Sequence, residues 1–297
     1  MRWFKKKSAP PPLTTVQDSV FGASTLGSGG RSVRHDASRR WGIVGAVIGL
    51  IGALVIFAPA SWLAGTLASA TGEHLLLVDT RGSIWNGSGA LVLTGGTGSR
   101  DAASLPGRLH WKMGIKGLGL QLAARQDCCI NGELLLGIKP GLGRMEISVD
   151  NRADWLARLP AGVLSGLGTP WNTLQLGGSL RLSAREFRLE SVQGRWRQFG
   201  ELQFDLLNLS SRVSTVAPLG SYRFTLNADP GNPGVSTLRL STLEGALQLN
   251  GVGTVIPGGK SRFIGEAGAA PGREEALNNL LNIIGRRQGA RSVLTIG

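Results

Sequence analysis

Twenty-three consecutive residues without a charged side chain, WGIVGAVIGLIGALVIFAPASWL at positions 41–63, constrain this chain more than any other feature. At ~1.5 Å rise per residue a helix of that length reaches roughly 35 Å, enough to cross the ~30 Å hydrocarbon core of a bilayer with some tilt. Such a helix satisfies its backbone polar groups internally, and its Ile, Val, Leu and Ala side chains suit lipid. The sequence therefore predicts a short tail, one membrane crossing and a large folded remainder.

The flanks orient the crossing. Residues 1–40 hold Arg2, Lys5, Lys6, Lys7, Arg31, Arg34, Arg39 and Arg40 against Asp18 and Asp36, eight minus two or +6. An excess of cations beside a membrane segment stays in the cytoplasm, which sends the C-terminal part outward. Trp41 and Trp62 stand at the ends of the span, where an indole prefers the headgroup level. Two other readings compete. Ala58-Pro59-Ala60 and Ala68-Ser69-Ala70 look like signal-peptide cleavage sites, but a leader of forty residues and so long an apolar run are unlike a signal peptide. A buried core helix would carry a polar face, and this one has none. Gly42, Gly45, Gly49 and Ala53 repeat at small-x-x-x-small spacing, which lets a partner helix approach closely.

Residues 1–40 read as a disordered basic tail, with Pro10-Pro11-Pro12 and few aliphatic residues to offset the entropy of ordering. The 234 residues after position 63 suffice for a sizeable core and hold 24 Lys and Arg against 17 Asp and Glu. Such basicity invites a nucleic-acid reading. Placement outside the cytoplasm removes it, and the tail charges fit anionic headgroups instead.

Short apolar runs punctuated by glycine predict strands joined by tight turns, beginning at residues 74–79 and 84–93 and continuing at 105–113, 118–123, 133–138 and 145–149. Period-two alternation returns around Leu174, Leu176, Leu180 and Leu182, then at 202–206, 222–226, 237–240 and 246–249. Helices are expected at 64–70, at 154–159 ending before Pro160, and at 273–287 with Arg286 and Arg287 in the last turn, where cations suit the helix dipole. Residues 291–296 close as a strand. The fold class expected is mainly β: one N-terminal transmembrane helix, then a curved, mostly antiparallel sheet with two short helices over residues 64–297.

Chemistry is hard to find. His35, His74 and His110 are scattered, and no nucleophile–base or metal-ligand spacing is legible, so no catalytic, metal or cofactor site is expected. The glycine cluster at 114–119 misses the phosphate-loop spacings and reads as a turn. The adjacent Cys128 and Cys129 either close a small disulfide ring or, in a strand, point to opposite faces. Trp85 and Trp111, each in or beside a strand, are candidates for ordering the sheet or for touching a partner.

GSIWNGSGALVL at 82–93, LPGRLHWKM at 105–113 and LLNIIGRRQGARSVLTIG at 280–297, behind a single apolar segment, resemble protein N of the bacterial type II secretion system. The likeness covers nearly everything after residue 41. It implies a single-pass inner-membrane protein of the Gram-negative envelope, with a cytoplasmic N-terminus and a periplasmic domain, accessory to a machine that exports folded proteins. It also implies other secretion subunits as partners, no enzymatic activity, and no family site residues to carry over. The alternative is a lipid-handling β-groove, in which half-apolar strands behind one anchor look like the AsmA-like envelope proteins.

Overall fold

The computed structural model describes residues 32–256 and 259–297, with side chains from Arg40 onward. The chain divides into two compact units, residues 1–53 and 54–297. The expected disorder of residues 1–31 lies outside the described residues, whereas 32–40 are helical.

The apolar stretch is not one helix. Helix α1 spans Ser32–Ile56, the chain breaks over 57–59, and α2 spans Ala60–Ala70. Pro59 explains the break, because its nitrogen carries no hydrogen and its ring disfavours helical geometry in the residue before it. It serves instead as the residue that caps α2. From Trp41 to the end of α1 the uncharged helix measures about 24 Å at ~1.5 Å per residue. Among the described residues no helix is long and apolar enough to cross a membrane.

The second unit is built on strands β1 (Leu75–Gly82), β2 (Asn86–Thr94), β3 (Ala102–Ser104), β4 (Leu109–Lys116), β5 (Gly119–Arg125), β6 (Leu134–Gly141), β7 (Arg144–Val149) and β8 (Ala157–Pro160). It continues through β9 (Gly177–Val192), β10 (Arg195–Ser210), β11 (Gly220–Ala228), β12 (Ser236–Gly245), β13 (Leu247–Val255), β14 (Arg262–Ala269), β15 (Arg286–Gln288) and β16 (Arg291–Ile296). Among the described residues these sixteen form one antiparallel sheet in the order β1-β2-β4-β5-β6-β7-β9-β10-β11-β12-β13-β14-β16-β15, with β3 on β2 and β8 on β9. The order follows the sequence almost throughout, so nearly every contact is between chain neighbours.

Register gives the sheet one apolar face. Met113, Leu122, Leu136 and Val149 are successive cross-strand neighbours in one half. Leu182, Phe204, Phe224 and Leu240 are the same in the other. That second row continues into Gly251, Gly265 and Leu294. The two glycines have a steric reason: a Cβ on either would run into the ring of Phe263, which lies across them. An aromatic ring over strand glycines restores the packing that they lack.

Helices cover parts of this face. α2 seats Ala60, Leu63 and Leu67 against Leu77, Leu91 and Trp111. At the far end α4 (Glu274–Ile284) buries Leu277, Leu280 and Leu281 in a cluster with Leu206, Tyr222, Leu240, Leu247 and Ala267. A 3-10 segment (Ala161–Leu167) and the four-residue α3 (Trp171–Leu174) add Ala161, Leu164 and Trp171 to that cluster.

Two expected helices need correction. Residues 154–159 do not form one: Ala157 begins β8, which pairs with β9, and the first helical turn comes after Pro160. Backbone pairing to a long neighbouring strand outweighs the weak helical spacing of a six-residue run. The C-terminal helix stops at Ile284, and Arg286 and Arg287 form the edge strand β15 rather than its last turn.

Candidate functional site

At the β1–β2 turn two indoles are hydrogen-bonded where the chain enters the sheet. Ser83 Oγ accepts the backbone N–H groups of Trp85 and Asn86, each at 3.2 Å, which fixes the turn. Trp111, on β4, donates its indole N–H to the Ser83 carbonyl at 3.2 Å. Trp85 donates its own to the Val55 carbonyl at 2.9 Å, and the Ile84 N–H reaches the Ala58 carbonyl at 3.0 Å. The chain leaving α1 is thereby tied to the same turn that Trp111 supports. Gly87 is required here, because a Cβ would enter the Trp111 ring.

Trp111 is only 3% exposed, so it acts by ordering this end of the sheet, while Trp85 is half-buried. Next to them Arg108 bonds both the carboxylate and the carbonyl of Asp79. That hydrogen bond, with the charge of Arg81, holds the Asp79 carboxyl below the usual carboxylate range. Cys128 and Cys129 are bonded to each other in the turn after β5, not in a strand, with Cys129 buried. Gly42, Gly45 and Gly49 have no atom within 4 Å of the place a Cβ would take, and Ala53 lies on the same helix.

A second polar site sits on the opposite face, and only the register reveals it. Asp205 on β10 lies directly between Arg181 of β9 and Arg223 of β11. Its carboxylate accepts Arg181 Nη2 at 2.7 Å and Arg223 Nε at 2.8 Å, with Gln203 Nε2 at 3.1 Å. The side chain is 1% exposed. Burial pushes its pKa up, but the hydrogen bonds from Arg223 and Arg181 outweigh this and leave it below the ordinary value of 3.8. A depressed carboxylate contributes stability above its unfolded pKa and loses it as pH falls through the folded one. Acid titration is therefore expected to weaken the middle of the sheet below about pH 4, the unfolded Asp range. Asp205→Ala is expected to remove that step and to cost about 3 kcal/mol, the low end for breaking a buried pair, because both arginines reach water. Urea midpoints measured across the acid range check both points.

Among the described residues no three His, Cys, Asp or Glu side chains converge to hold a metal ion. Two shallow depressions, about 210 and 300 Å³, are lined mainly by strand residues; Arg152, Arg181, Arg185 and Glu201 stand in the first. What the site offers is a braced turn, two indoles and a tie to the incoming chain.

The model of a known family, type II secretion system protein N, matches residues 73–294. The chain belongs to that family. The match begins just before β1 and ends within β16, so it spans the sheet, Trp85, Trp111, the cysteine pair and the Asp205 cluster, and leaves out α1 and α2. Membership gives the chain an accessory role in type II secretion. No curated protein and no solved structure matches it.

Proposed function

We propose that the chain is a non-enzymatic subunit of the type II secretion system, anchored in the inner membrane with its N-terminus in the cytoplasm and its sheet in the periplasm. The family match over the sheet carries this reading. For the anchor, the support is that every large apolar side chain from Trp41 to Phe57 is exposed, with Ile48 at 65% and Phe57 at 79%. In water such a helix would be unstable. Its apolar length is short for a bilayer, and a short segment is accommodated by local thinning and by cations such as Arg40 reaching up to the headgroups.

In this reading the membrane helix packs against other subunits through Gly42, Gly45, Gly49 and Ala53, and the Trp85 turn is the part of the periplasmic domain that meets them. The sheet edges are poorer docking sites. β1 is bulged between Val78 and Arg81 and carries charge, and β15 has three exposed residues with two arginines. Both features discourage strand addition. Deleting the gene in a bacterium that secretes by this route is expected to leave exported proteins in the periplasm, and the intact gene to restore export. Unchanged export in the deletion strain would contradict the proposal.

The lipid-groove alternative draws on one observation, the apolar face that the helices leave partly open. Phe204 is 40% exposed there and Ile115 is 79% exposed. Exposed apolar side chains on a sheet face fit acyl chains.

A further inference from the structure

The antiparallel order brings the β1–β2, β4–β5, β6–β7 and β9–β10 turns to the same end of the sheet. The chain enters the domain at that end, since Pro59 bridges to Ser83. Two of these turns repeat a tripeptide, Gly117-Leu118-Gly119 and Gly141-Leu142-Gly143. Gly117 and Gly143 have positive φ, 60° and 65°, so each turn is held by its glycine and the leucine is thrust outward. Leu118 and Leu142 are fully exposed, at 100% and 107%. Nothing in the fold uses them.

Cations surround these leucines. The hairpin ends at 112–119, 139–146 and 190–197 hold Lys112, Lys116, Lys139, Arg144, Arg195 and Arg197 against Glu146 and Glu190, six minus two or +4. Lys139 and Arg144 are paired with those two glutamates, at 3.1 and 3.0 Å. Lys116 and Arg195 are exposed and make no ion pair among the described residues. Apolar tips ringed by unpaired cations match a surface that is apolar below and anionic above, the headgroup boundary of an anionic bilayer.

We propose that this rim docks on an anionic phospholipid surface, with Leu118 and Leu142 inserted into the headgroup region and Lys116 and Arg195 on lipid phosphates. The proposal rests on the anchored reading only in that the tie at Pro59 holds this end of the sheet near the membrane. Docking would set the height and tilt of the sheet over the bilayer, which a single helix leaves free.

The test uses the full chain with an environment-sensitive fluorophore at Leu118→Cys, at Leu142→Cys, or at Thr215→Cys on the opposite end, with Cys128 and Cys129 left bonded to each other. Vesicles are phosphatidylcholine alone or mixed with phosphatidylglycerol, and vesicle flotation is followed with and without high salt. The expected result is a blue shift at 118 and 142 but not at 215, stronger with phosphatidylglycerol. Lys116→Gln with Arg195→Gln should weaken the vesicle docking reported by that shift by roughly fivefold per cation. Salt-resistant flotation with identical, water-like emission at all three positions overturns the docking rim and leaves the anchor standing. Salt-sensitive flotation with the shift at 118 and 142 supports the rim and removes the anchor. No flotation on either vesicle overturns both.

Discussion

Replacing Trp111 by alanine is expected to lower stability by about 3–5 kcal/mol, the range for truncating a buried tryptophan. The loss has three parts. The indole fills the space between α2 and the sheet, against Ala60 and Leu77. Its N–H holds the Ser83 carbonyl of the β1–β2 turn. Gly87 beneath it has no side chain with which to fill the void. Trp111→Phe should keep much of the packing and lose the hydrogen bond, a cost of about 1 kcal/mol for that term. Hydrogen exchange distinguishes this from general destabilisation: amides of β1, β2 and β4 should lose protection before those of β11–β14. Uniform loss along the sheet, or a denaturation midpoint unchanged in Trp111→Ala, would contradict the assignment.

Leu281→Ala should be comparably costly, about 3–5 kcal/mol, from the opposite end of the sheet. Leu281 is 1% exposed, and its carbonyl accepts the Ser292 hydroxyl. It pins α4 over β14 and β16, beside the glycines of β13 and β14 that supply little side-chain packing of their own. Without α4 the Phe263 ring and the strand glycines beneath it would face water. Amides of β13, β14 and β16 should then exchange first. The Trp111 and Leu281 clusters share no residue, so the two losses should add in the double variant. Strong non-additivity in urea denaturation would mean that the sheet transmits strain between its ends.

Much of this fold was legible because its pairing is local. In a meander each strand pairs mostly with its chain neighbour, so short apolar runs between glycines, such as those at 84–93 and 105–113, nearly define the architecture. The breaks in that reading have physical causes. Uniform apolarity across 41–63 concealed the Pro59 break, since hydropathy does not register a missing backbone donor. The run at 154–159 was too short for periodicity to separate helix from strand, and pairing with β9 decided it.

Site residues divided in the same way. Trp85 and Trp111 stood out by type, yet their meeting at Ser83 depends on the β2–β4 pairing. Asp205 could not be found from sequence, because its partners Arg181 and Arg223 lie 24 and 18 positions away and become neighbours only through register. Leu118 and Leu142 did leave a signal, the repeated Gly-Leu-Gly. The glycines at 114–119 were read as a turn, which the structure confines to 117–118 after β4, and the exposed leucine has meaning only once the turns share one end of the sheet.

The most direct test of the account is photo-crosslinking in living cells from probes at Gly45, Gly49 and Trp85, with the adducts identified by mass spectrometry. Trp111 is too buried to serve. The account predicts adducts to other type II secretion subunits, from the helix positions in the membrane and from Trp85 in the periplasm. Adducts to lipid at all three positions, with no secretion subunit among the products, would contradict it.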